Sequence, residues 1–512
     1  MPDQPVQSMA AKTTDTAGVQ TPKEIESYFK SRIAASKRTH KRLHTEWKQN
    51  IELRIGHVAT VYTGGVSAQD TIQSEINPDW SLTKTKTVNL FSQVPAVQLS
   101  HENTQYGAAV APFAKALNYE IGEKRANIAV PMEEVLNDVV NAAGIGAVYV
   151  GYAARFVTKE IPAVDSAQFP PELLSQLTPV ALPEGTDLTP EMWQELLAAR
   201  QLPMTTVQEM VSDKIFGTRI SPVDLLSPVE FTGSNFDDGD WIGRRGRMSW
   251  AEGKNEFNLT DEQKDKVLSG SDTRTEDSLR SHVEESGSAE TRTITYDQLF
   301  YWRYRVDPDE KSFSAIWQLV FVDGITEPVL HAPWKGQKLD EQSYKYVGAC
   351  KFPIRVLTLT YITDNPIPPS DSSAGRPQVN DMRRSRSQMF LNRERSVPIR
   401  WFDVNRVDPL IQDTLMRGTF QGFIPTNGDG SRTIGEIARA SYPSENLQFD
   451  EKSKADLADS WQIGPNQQSQ ITGSTAAEAN VVQQNFATRI GQERGRVATF
   501  FLGICEVIAG YM

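Results

Sequence analysis

Apolar side chains recur every three or four residues in several stretches of the chain, a spacing that predicts amphipathic helices. The first such stretch begins at Pro22 and places Ile25, Phe29 and Ile33 on one face. The preceding segment, 1–21, has no continuous apolar run, so we expect a disordered tail without a secretory signal. Further helices are predicted at 112–126, 131–143, 376–396, 447–463 and 476–512.

Patterns rich in aromatic and β-branched residues predict strands between these helices. One strand is expected at 147–157, directly after a helix that should stop at Gly144. The stretches "YDQLFYWRYRV", "FSAIWQLVFV" and "RVLTLTYI" have the same character, and Asp323-Gly324 suits a two-residue hairpin turn. Together the helices and strands predict an α+β fold.

Three segments depart from these patterns. Residues 161–205 are rich in proline and 261–292 are polar and charged, so we expect both to be insertions or flexible connectors. Residues 397–446 contain an extended run, a short helix after Asp408 and a glycine turn. This segment is predicted to be a small mixed unit between two helices of opposite charge.

Charge and cysteine content narrow the class of protein. The chain has 512 residues and a net charge of -12, which does not suit a protein that grips duplex phosphates with its whole surface. Its two cysteines, Cys350 and Cys505, allow one disulfide but exclude a disulfide framework and a CxxC zinc site. No run approaches the roughly 20 apolar residues of a membrane-spanning helix. We therefore expect that the protein does not associate with a membrane. We also expect that it assembles in a cytoplasm.

Motifs for catalysis or cofactor binding are not evident. The glycine-rich "AAGIGAVYVGY" has Tyr149 where a third glycine belongs, and it runs from helix to strand, the reverse of a dinucleotide-binding turn. His40 and His44 lie four residues apart but lack the glutamate of HExxH, which favours a solvated basic face shared with Lys41 and Arg42. We expect no enzyme activity, no cofactor and no metal.

The order of the predicted parts resembles that of the portal proteins of tailed bacteriophages. The likeness covers most of 22–512 and is one of architecture and loose consensus. It is carried by "HTEWKQNIELRIG", "VNLFSQVPAVQL", "VLNDVVNAAGIGAVYVGY", "SPVDLLSPVEFTGSNFDDGDWIGRRGRMS" and "STAAEANVVQQNFATRIGQERGRVATFFLGICEVIAGYM".

The resemblance implies a ring of about twelve subunits at one capsid vertex. Double-stranded DNA would pass through the ring during packaging and ejection. The partners would be a large terminase, a head-tail adaptor and a major capsid or scaffolding protein, and the location would be the virion. The implied parts are a wing (22–375), a first stem helix (376–396), a clip (397–446), a second stem helix (447–463), a tunnel loop (464–475) and a long wing helix (476–512) leading to a short or absent crown.

The tunnel loop implied by the resemblance belongs to the neutral, amide-rich stretch "GPNQQSQITGSTAAEA". Amides and hydroxyls can make weak, exchangeable contacts with a moving duplex, whereas lysines would hold its phosphates. An ordinary polar connector between helices explains the composition equally well. The residues expected to face DNA are Asn466, Gln467, Gln468, Ser469 and Gln470.

The two stem helices carry opposite charges that could pair between neighbouring subunits. Exposed pairs of this kind are worth roughly 0–1 kcal/mol each, but they can set the register of a ring. The alternative is that both helices are simply solvated, and the sequence does not decide between the two. The candidate contacts are Arg383, Arg384 and Arg386 on the first helix and Asp450, Glu451 and Asp456 on the second.

Two other interpretations stay open at this level. One is another phage head-tail or minor capsid structural protein, since such proteins share the same setting. The other is a multidomain cytosolic enzyme whose active site forms only in three dimensions.

Overall fold

The computed structural model of the chain describes a set of ranges that combine helices with sheets, so the expectation of a mixed α+β chain is confirmed. The tail at 1–21, predicted to be disordered, lies outside these ranges. The described residues are 22–55, 77–100, 107–162, 178–181, 201–257, 259–270, 293–303, 316–340, 345–348, 351–396, 399–417, 429, 433–437, 445–463 and 476–512.

The helices vary from single short turns to rods of more than thirty residues. They are α1 (Pro22–Ile55), α2 (Pro78–Leu90), α3 (Gly107–Ile121), α4 (Ala129–Asn137), α5 (Trp250–Phe257), α6 (Lys264–Gly270), α7 (Asp371–Ser396), α8 (Pro409–Met416), α9 (Glu445–Ser460) and α10 (Ala476–Tyr511). A π-turn at Asp138–Ala142 continues α4 directly.

The strands form two larger sheets and two small ones. They are β1 (Gly146–Pro162), β2 (Thr178–Ala181), β3 (Gln201–Ile220), β4 (Leu225–Leu226), β5 (Trp241–Ser249), β6 (Thr293–Trp302), β7 (Ile316–Val322), β8 (Leu330–Pro333), β9 (Gln337–Asp340), β10 (Lys345–Gly348), β11 (Ile354–Leu357), β12 (Ile399–Phe402) and β13 (Ile434–Ile437).

The five-stranded sheet has the order β4-β5-β6-β7-β8, and every neighbouring pair is antiparallel. Side chains of the central strand β6 alternate between the two faces of the sheet, and nearly all of them are buried. Both faces of the sheet are therefore covered at this strand. The first half of α1 covers one face, where Phe29 packs 4.6 Å from the ring of Tyr301. The other face is covered by α5 and α6, with Val267 buried against Ile294 and Val320.

The four-stranded sheet has the order β11-β1-β3-β2. The pair β1 and β3 runs antiparallel from Ala147↔Ile220 to Pro162↔Met204, with a bulge between Arg155 and Phe156. The largest core lies beside the end of this sheet where β1 begins and β3 ends, and α2, α3, α4 and α10 pack together there. The second half of α1 joins the same core through Trp47 and Leu53, so α1 connects both sheets.

Helices α7 and α9 form an antiparallel pair, which we call the helical hairpin. The start of α7 at Gly375 lies against Leu457 and Trp461, whereas Arg386 further along α7 lies near Asp450. Between the two helices the chain forms a small unit of β12, α8 and β13, with β12 antiparallel to β13. This tip unit agrees with the mixed α/β segment predicted at 397–446.

The long helix α10 returns from the hairpin to the sheets. Its last residue, Tyr511, accepts a hydrogen bond from Trp334 Nε1 at 3.0 Å and stacks on Tyr152 of β1 at 5.8 Å. Gly503 lets α10 approach the guanidinium of Arg355, because a Cβ at this position would lie 2.7 Å from Arg355 Nε. The prediction of one long terminal helix at 476–512 is confirmed.

Several sequence predictions are shifted or corrected. Helix α3 occupies 107–121 instead of 112–126, since Pro112 lies inside it. Helix α7 begins at Asp371 instead of 376, because Ser370 caps it: Ser373 N donates to Ser370 Oγ at 3.2 Å. The second helix of the pair occupies 445–460 instead of 447–463.

The two-residue turn predicted at Asp323-Gly324 is wrong. Gly324 has a positive φ of 90°, as a turn glycine should, but β7 ends at Val322 and β8 begins at Leu330, so a longer loop joins them. Both predicted insertions also contain ordered elements. Strands β1, β2 and β3 reach into 161–205, and α6 lies in 261–292; the remaining residues of both insertions are outside the described ranges.

Candidate functional site: the helical junction

A cluster of buried polar side chains lies where α1, α2, the π-turn, α7 and α10 meet, and we call it the helical junction. Polar groups in such a position need hydrogen-bond partners, because an unpaired buried group costs roughly 1–3 kcal/mol. The members of the junction are Asn50, Asp79, Lys86, Asn141, Ser370, Asp371, Ser372 and Glu493.

Lys86 of α2 is the cation that pairs with two carboxylates of the junction. Its side chain is 0% exposed, and its Nζ lies 2.8 Å from Asp371 Oδ2 and 3.0 Å from Glu493 Oε1. Burial lowers the pKa of Lys86, but the two carboxylates more than offset this and the net pKa lies above its ordinary value. One ammonium group therefore joins α2, the first turn of α7 and the middle of α10.

Asp79, also on α2, accepts hydrogen bonds from Asn141 Nδ2 at 2.8 Å and from Ser372 Oγ at 2.9 Å. Burial raises the pKa of Asp79 to about 6, and the bonds from Ser372 and Asn141 and the charge of Arg54 only partly oppose this. This carboxyl group is therefore poised to exchange a proton near neutral pH while it holds α2 to α7.

The π-turn brings Asn141 into the junction. Ala143 N donates to Asp138 O at 2.8 Å, the i→i+5 bond of a π-turn, which inserts one residue into the end of α4. Asn141 Nδ2 consequently reaches both Asp79 and Ser372, the latter at 2.8 Å. Asp138 itself pairs with Arg219 of β3, whose Nη2 donates to Asp138 Oδ1 at 2.7 Å.

Helix α1 is held to the start of α7 by a second set of bonds. Asn50 Nδ2 donates to Ala142 O at 2.9 Å and to Ser370 Oγ at 3.1 Å. Ser373 Oγ donates to the carboxylate of Glu46, and Arg376 donates to Gln49 Oε1 at 2.7 Å. The first turn of α7 is thus bonded to three other elements, α1, α2 and the π-turn.

The candidate contact residues of the hairpin divide into buried and exposed ones. Arg383 is 7% exposed; burial lowers its pKa, and Asp79 opposes the shift. Arg386 Nη2 lies 3.4 Å from Asp450 Oδ2 within the same chain. Arg384, Glu451 and Asp456 are exposed. Contact between neighbouring subunits stays a prediction for all six residues, and only the last three are fully available for it.

The predicted tunnel residues Asn466, Gln467, Gln468, Ser469 and Gln470 lie outside the described residues, as does all of 464–475. The described chain reaches this segment from Trp461 and Ile463, which are both buried. It resumes at Ala476, the first residue of α10.

His40 corrects the prediction of a solvated basic face. Lys41 and Arg42 are exposed, but His40 is buried, with Nε2 3.4 Å from Ser227 Oγ. Burial, together with the charge of His44, lowers the pKa of His40 to about 4, so its imidazole is neutral at pH 7. Within the described ranges, no group of three or more His, Cys, Asp or Glu side chains could hold a metal ion.

Two further predictions concern the cysteines and the membrane. Cys505 is a buried free thiol, and burial raises its pKa to about 12; Cys350 lies outside the described residues. Among the helices that the structure describes, none combines the length and apolarity required to span a bilayer.

No protein-family model matches the chain, and no curated protein matches it.

Sequence reasoning missed the junction because the buried face of α2 is mostly polar. Four of its six buried side chains are Asp79, Thr83, Lys86 and Thr87. A search for apolar residues at helical spacing therefore cannot detect this helix. The signal that was available is the start "NPDW": Asn77 accepts a hydrogen bond from Trp80 N at 3.2 Å, and Pro78 follows it as the first helical residue.

Proposed function

We propose that the chain is a portal protein of a tailed bacteriophage, a ring of about twelve subunits through which double-stranded DNA is packaged and ejected. One observation carries the proposal. An antiparallel helical hairpin holds a small α/β unit at its tip, and the 36-residue helix α10 then packs back onto the sheets. In the family that the sequence resembles, these parts are the stem, the clip and the long wing helix.

The charge of the chain supports a conduit. With -12 per chain, a ring of about twelve chains is strongly acidic. An acidic channel lining repels phosphates, so a duplex can move without being held. The amide-rich residues Asn466 to Gln470 would then touch the DNA weakly, between the second stem helix and α10.

The surface of the tip unit supports a role for the clip in docking. Trp401, Val404 and Met416 are 42%, 61% and 70% exposed, although each is a large apolar side chain. Large apolar side chains exposed on one small unit can contribute to a surface for protein contacts. Large terminase and a head-tail adaptor are the partners that we propose for this surface, with a major capsid or scaffolding protein contacting the sheets.

Electron microscopy of the purified full chain tests the proposal. We expect rings with a central channel in negative stain. Monomers or closed dimers at every concentration would contradict a portal and would leave the open alternatives, another head-tail or minor capsid protein or a cytosolic enzyme.

A charge exchange sharpens this test. Arg384→Glu should reduce the fraction of rings at low salt, because Arg384 is exposed and would face acidic residues of a neighbouring stem. The matched double variant with Glu451→Arg should restore part of the ring fraction. Equal ring fractions for the wild type and both variants would remove these residues from the interface.

A further inference from the structure

Lys86, Asp371 and Glu493 form a buried triad in which an amine nitrogen lies against two carboxyl groups. The Lys86 side chain is 0% exposed, and its Nζ is 2.8 Å from Asp371 Oδ2 and 3.0 Å from Glu493 Oε1. The side chains of Asp371 and Glu493 are only 18% and 8% exposed. A nitrogen held this close to a carboxyl group is in position to attack its carbon, which two freely diffusing groups rarely are. The triad therefore has the geometry of reactants as well as that of an ion pair.

Burial of the triad favours an amide over the separate groups. Amide formation from an amine and a carboxylic acid releases water, so in dilute solution the surrounding water reverses it. In a folded chain the effective concentration of one group around another reaches roughly 10⁵–10⁸ M, far above that of liquid water. The amide is also neutral, so its formation removes the cost of keeping two charges out of water.

The two carboxyl groups differ in their position on the helices. Asp371 is the first residue of α7, where the aligned peptide dipoles of the helix place partial positive charge. Attack on a carboxyl carbon develops negative charge on its oxygen, and positive charge nearby stabilises it. Glu493 lies in the interior of α10 and has no helix terminus beside it. Asp371 is therefore the better electrophile of the two.

Glu493 is suited to carry a proton during this reaction. Its Oε1 is the oxygen next to Lys86 Nζ, and its buried Oε2 has no hydrogen-bond partner among the described residues. Burial raises the pKa of Glu493, which Lys86 only partly opposes, so this carboxyl group takes up a proton more readily than an exposed one. Burial likewise raises the pKa of Asp371 and favours the neutral carboxyl group that an amine can attack.

We propose that Lys86 and Asp371 form an isopeptide bond, a covalent cross-link between α2 and the first turn of α7, with Glu493 as the proton carrier. Glu493 takes a proton from Lys86 Nζ, and the neutral amine attacks Asp371 Cγ to form a C–N bond. A C–O bond of Asp371 then breaks, and its oxygen leaves as water with the two protons that Nζ has lost. Glu493 returns to its starting charge, and no atom is oxidised or reduced.

The ion-paired chain precedes the cross-linked one. Burial lowers the pKa of Lys86, but the two carboxylates outweigh this effect, so the ammonium form dominates at neutral pH. Only the amine form is a nucleophile, and the bond therefore forms slowly. Once formed, it anchors the base of the helical hairpin to α2 by a covalent bond.

Intact-mass spectrometry of the full chain, followed over weeks at neutral pH, tests the proposal. We expect a species lighter by one water molecule, and a digest in which the peptides that contain Lys86 and Asp371 are joined. The measurement needs neither rings nor DNA, so its outcome is independent of the proposed function. No loss of water from the folded chain would overturn the proposal. So would a loss confined to a succinimide at an Asp-Gly step such as Asp323-Gly324.

A matched pair of variants on α10 tests the proton carrier. Glu493→Gln should slow the loss of water at least about a hundredfold, because an amide cannot take up the proton of Lys86. Glu506→Gln makes the same change in the more exposed pair with Lys351 and should leave the rate unchanged. Equal rates for the two variants would contradict the role of Glu493.

Asp371→Asn identifies the carboxyl group that is attacked. The new amide is still an electrophile, but its leaving group is ammonia, so this variant should become lighter by one ammonia molecule instead of one water molecule. Loss of water from Asp371→Asn, with the joined peptides now containing Lys86 and Glu493, would overturn the assignment to Asp371. Circular dichroism confirms that the variants fold, and the digest of the wild type decides the question if one of them does not.

Discussion

The helical junction and the outer part of the helical hairpin both contain ion pairs, but water reaches them differently. Lys86 is 0% exposed and has two carboxylates within 3.0 Å, whereas Arg386 keeps about a third of its side chain exposed and lies 3.4 Å from Asp450. A buried charge without its partner is costly, while an exposed pair exchanges readily with water. The junction charges therefore hold helices in place, whereas Arg386 of the hairpin is still in contact with water.

The same contrast separates the two ends of the hairpin. Near the junction, Gly375 lets α7 approach Leu457 and Trp461 so closely that a Cβ would lie 2.8 Å from each. Further along, Arg384 and Glu451 are exposed. The hairpin is thus fixed at its base by packing and presents charge beyond it. The proposal that neighbouring chains contact the hairpin therefore concerns the part beyond its base.

The largest expected effect comes from removing the buried ammonium. Lys86→Met should lower the free energy of unfolding by about 3–5 kcal/mol, because Asp371 and Glu493 would be left buried without a cation. The control is Lys84→Met, which changes an exposed lysine of the same helix and should cost less than about 1 kcal/mol. Urea denaturation measures both. Similar losses for the two variants would show that water reaches the charges of the junction as readily as those of the hairpin.

The second prediction concerns pH. The pKa of Asp79 is about 6 in the folded chain, above the value of about 3.9 for an unfolded aspartate. The folded state therefore binds this proton more tightly, and the stabilisation is fully present below pH ~4 and lost as the pH rises through about 6.

Asp79→Asn should remove this loss, which amounts to about 2 kcal/mol. Unfolding free energies of the wild type and the variant, measured between pH 4 and 7, give the difference curve, in which contributions of the other carboxyl groups cancel. A flat difference curve would show that Asp79 is ionised throughout.

The third prediction compares two helical glycines. Gly375→Ala should destabilise the chain by about 1 kcal/mol, since the clash with Leu457 and Trp461 outweighs the better helix propensity of alanine. Gly491→Ala on α10 should stabilise it by about 1 kcal/mol, because its Cβ would meet no described atom within 4 Å. Effects of the same sign would contradict the close packing at the base of the hairpin. Thermal and urea unfolding report the sign.

The smallest effect is expected for the half-buried pair of Arg386 and Asp450. Arg386→Gln should cost about 0.5 kcal/mol, because Asp450 also has Lys454 Nζ at 3.2 Å and the pair is screened. The difference from the wild type should shrink further in 0.5 M salt, with a Debye length of only about 4 Å. A cost above about 2 kcal/mol, insensitive to salt, would place this pair with the buried charges of the junction. Urea midpoints at low and high salt measure it.

Much of the fold could be predicted because it follows from local patterns. The repeat of Ile25, Phe29 and Ile33 predicted α1, and the structure buries all three against the five-stranded sheet. Gly144 was predicted as a helix stop, and its positive φ confirms this. The tip unit and the terminal helix were likewise visible in turn residues and periodicity.

The candidate site was much less visible. The hairpin residues were singled out by charge alone, which does not distinguish Arg386, paired within the chain, from Arg384, which is exposed. The junction was not predicted at all, since it depends on the polar face of α2 and on the extra residue of the π-turn. Neither feature produces a periodic pattern of apolar residues in the sequence.

The sequence by itself therefore determined the long helices, several of the strands, the mixed fold and the acidic charge, because these depend on neighbouring residues and on composition. Only the tertiary structure decided which polar residues are buried together. Lys86 and Glu493 are 407 positions apart, and Asn50 and Ser370 are 320 apart. The cost of burying a charge or an amide without a partner ties such distant residues together. That cost arises only after the chain has brought them into one place.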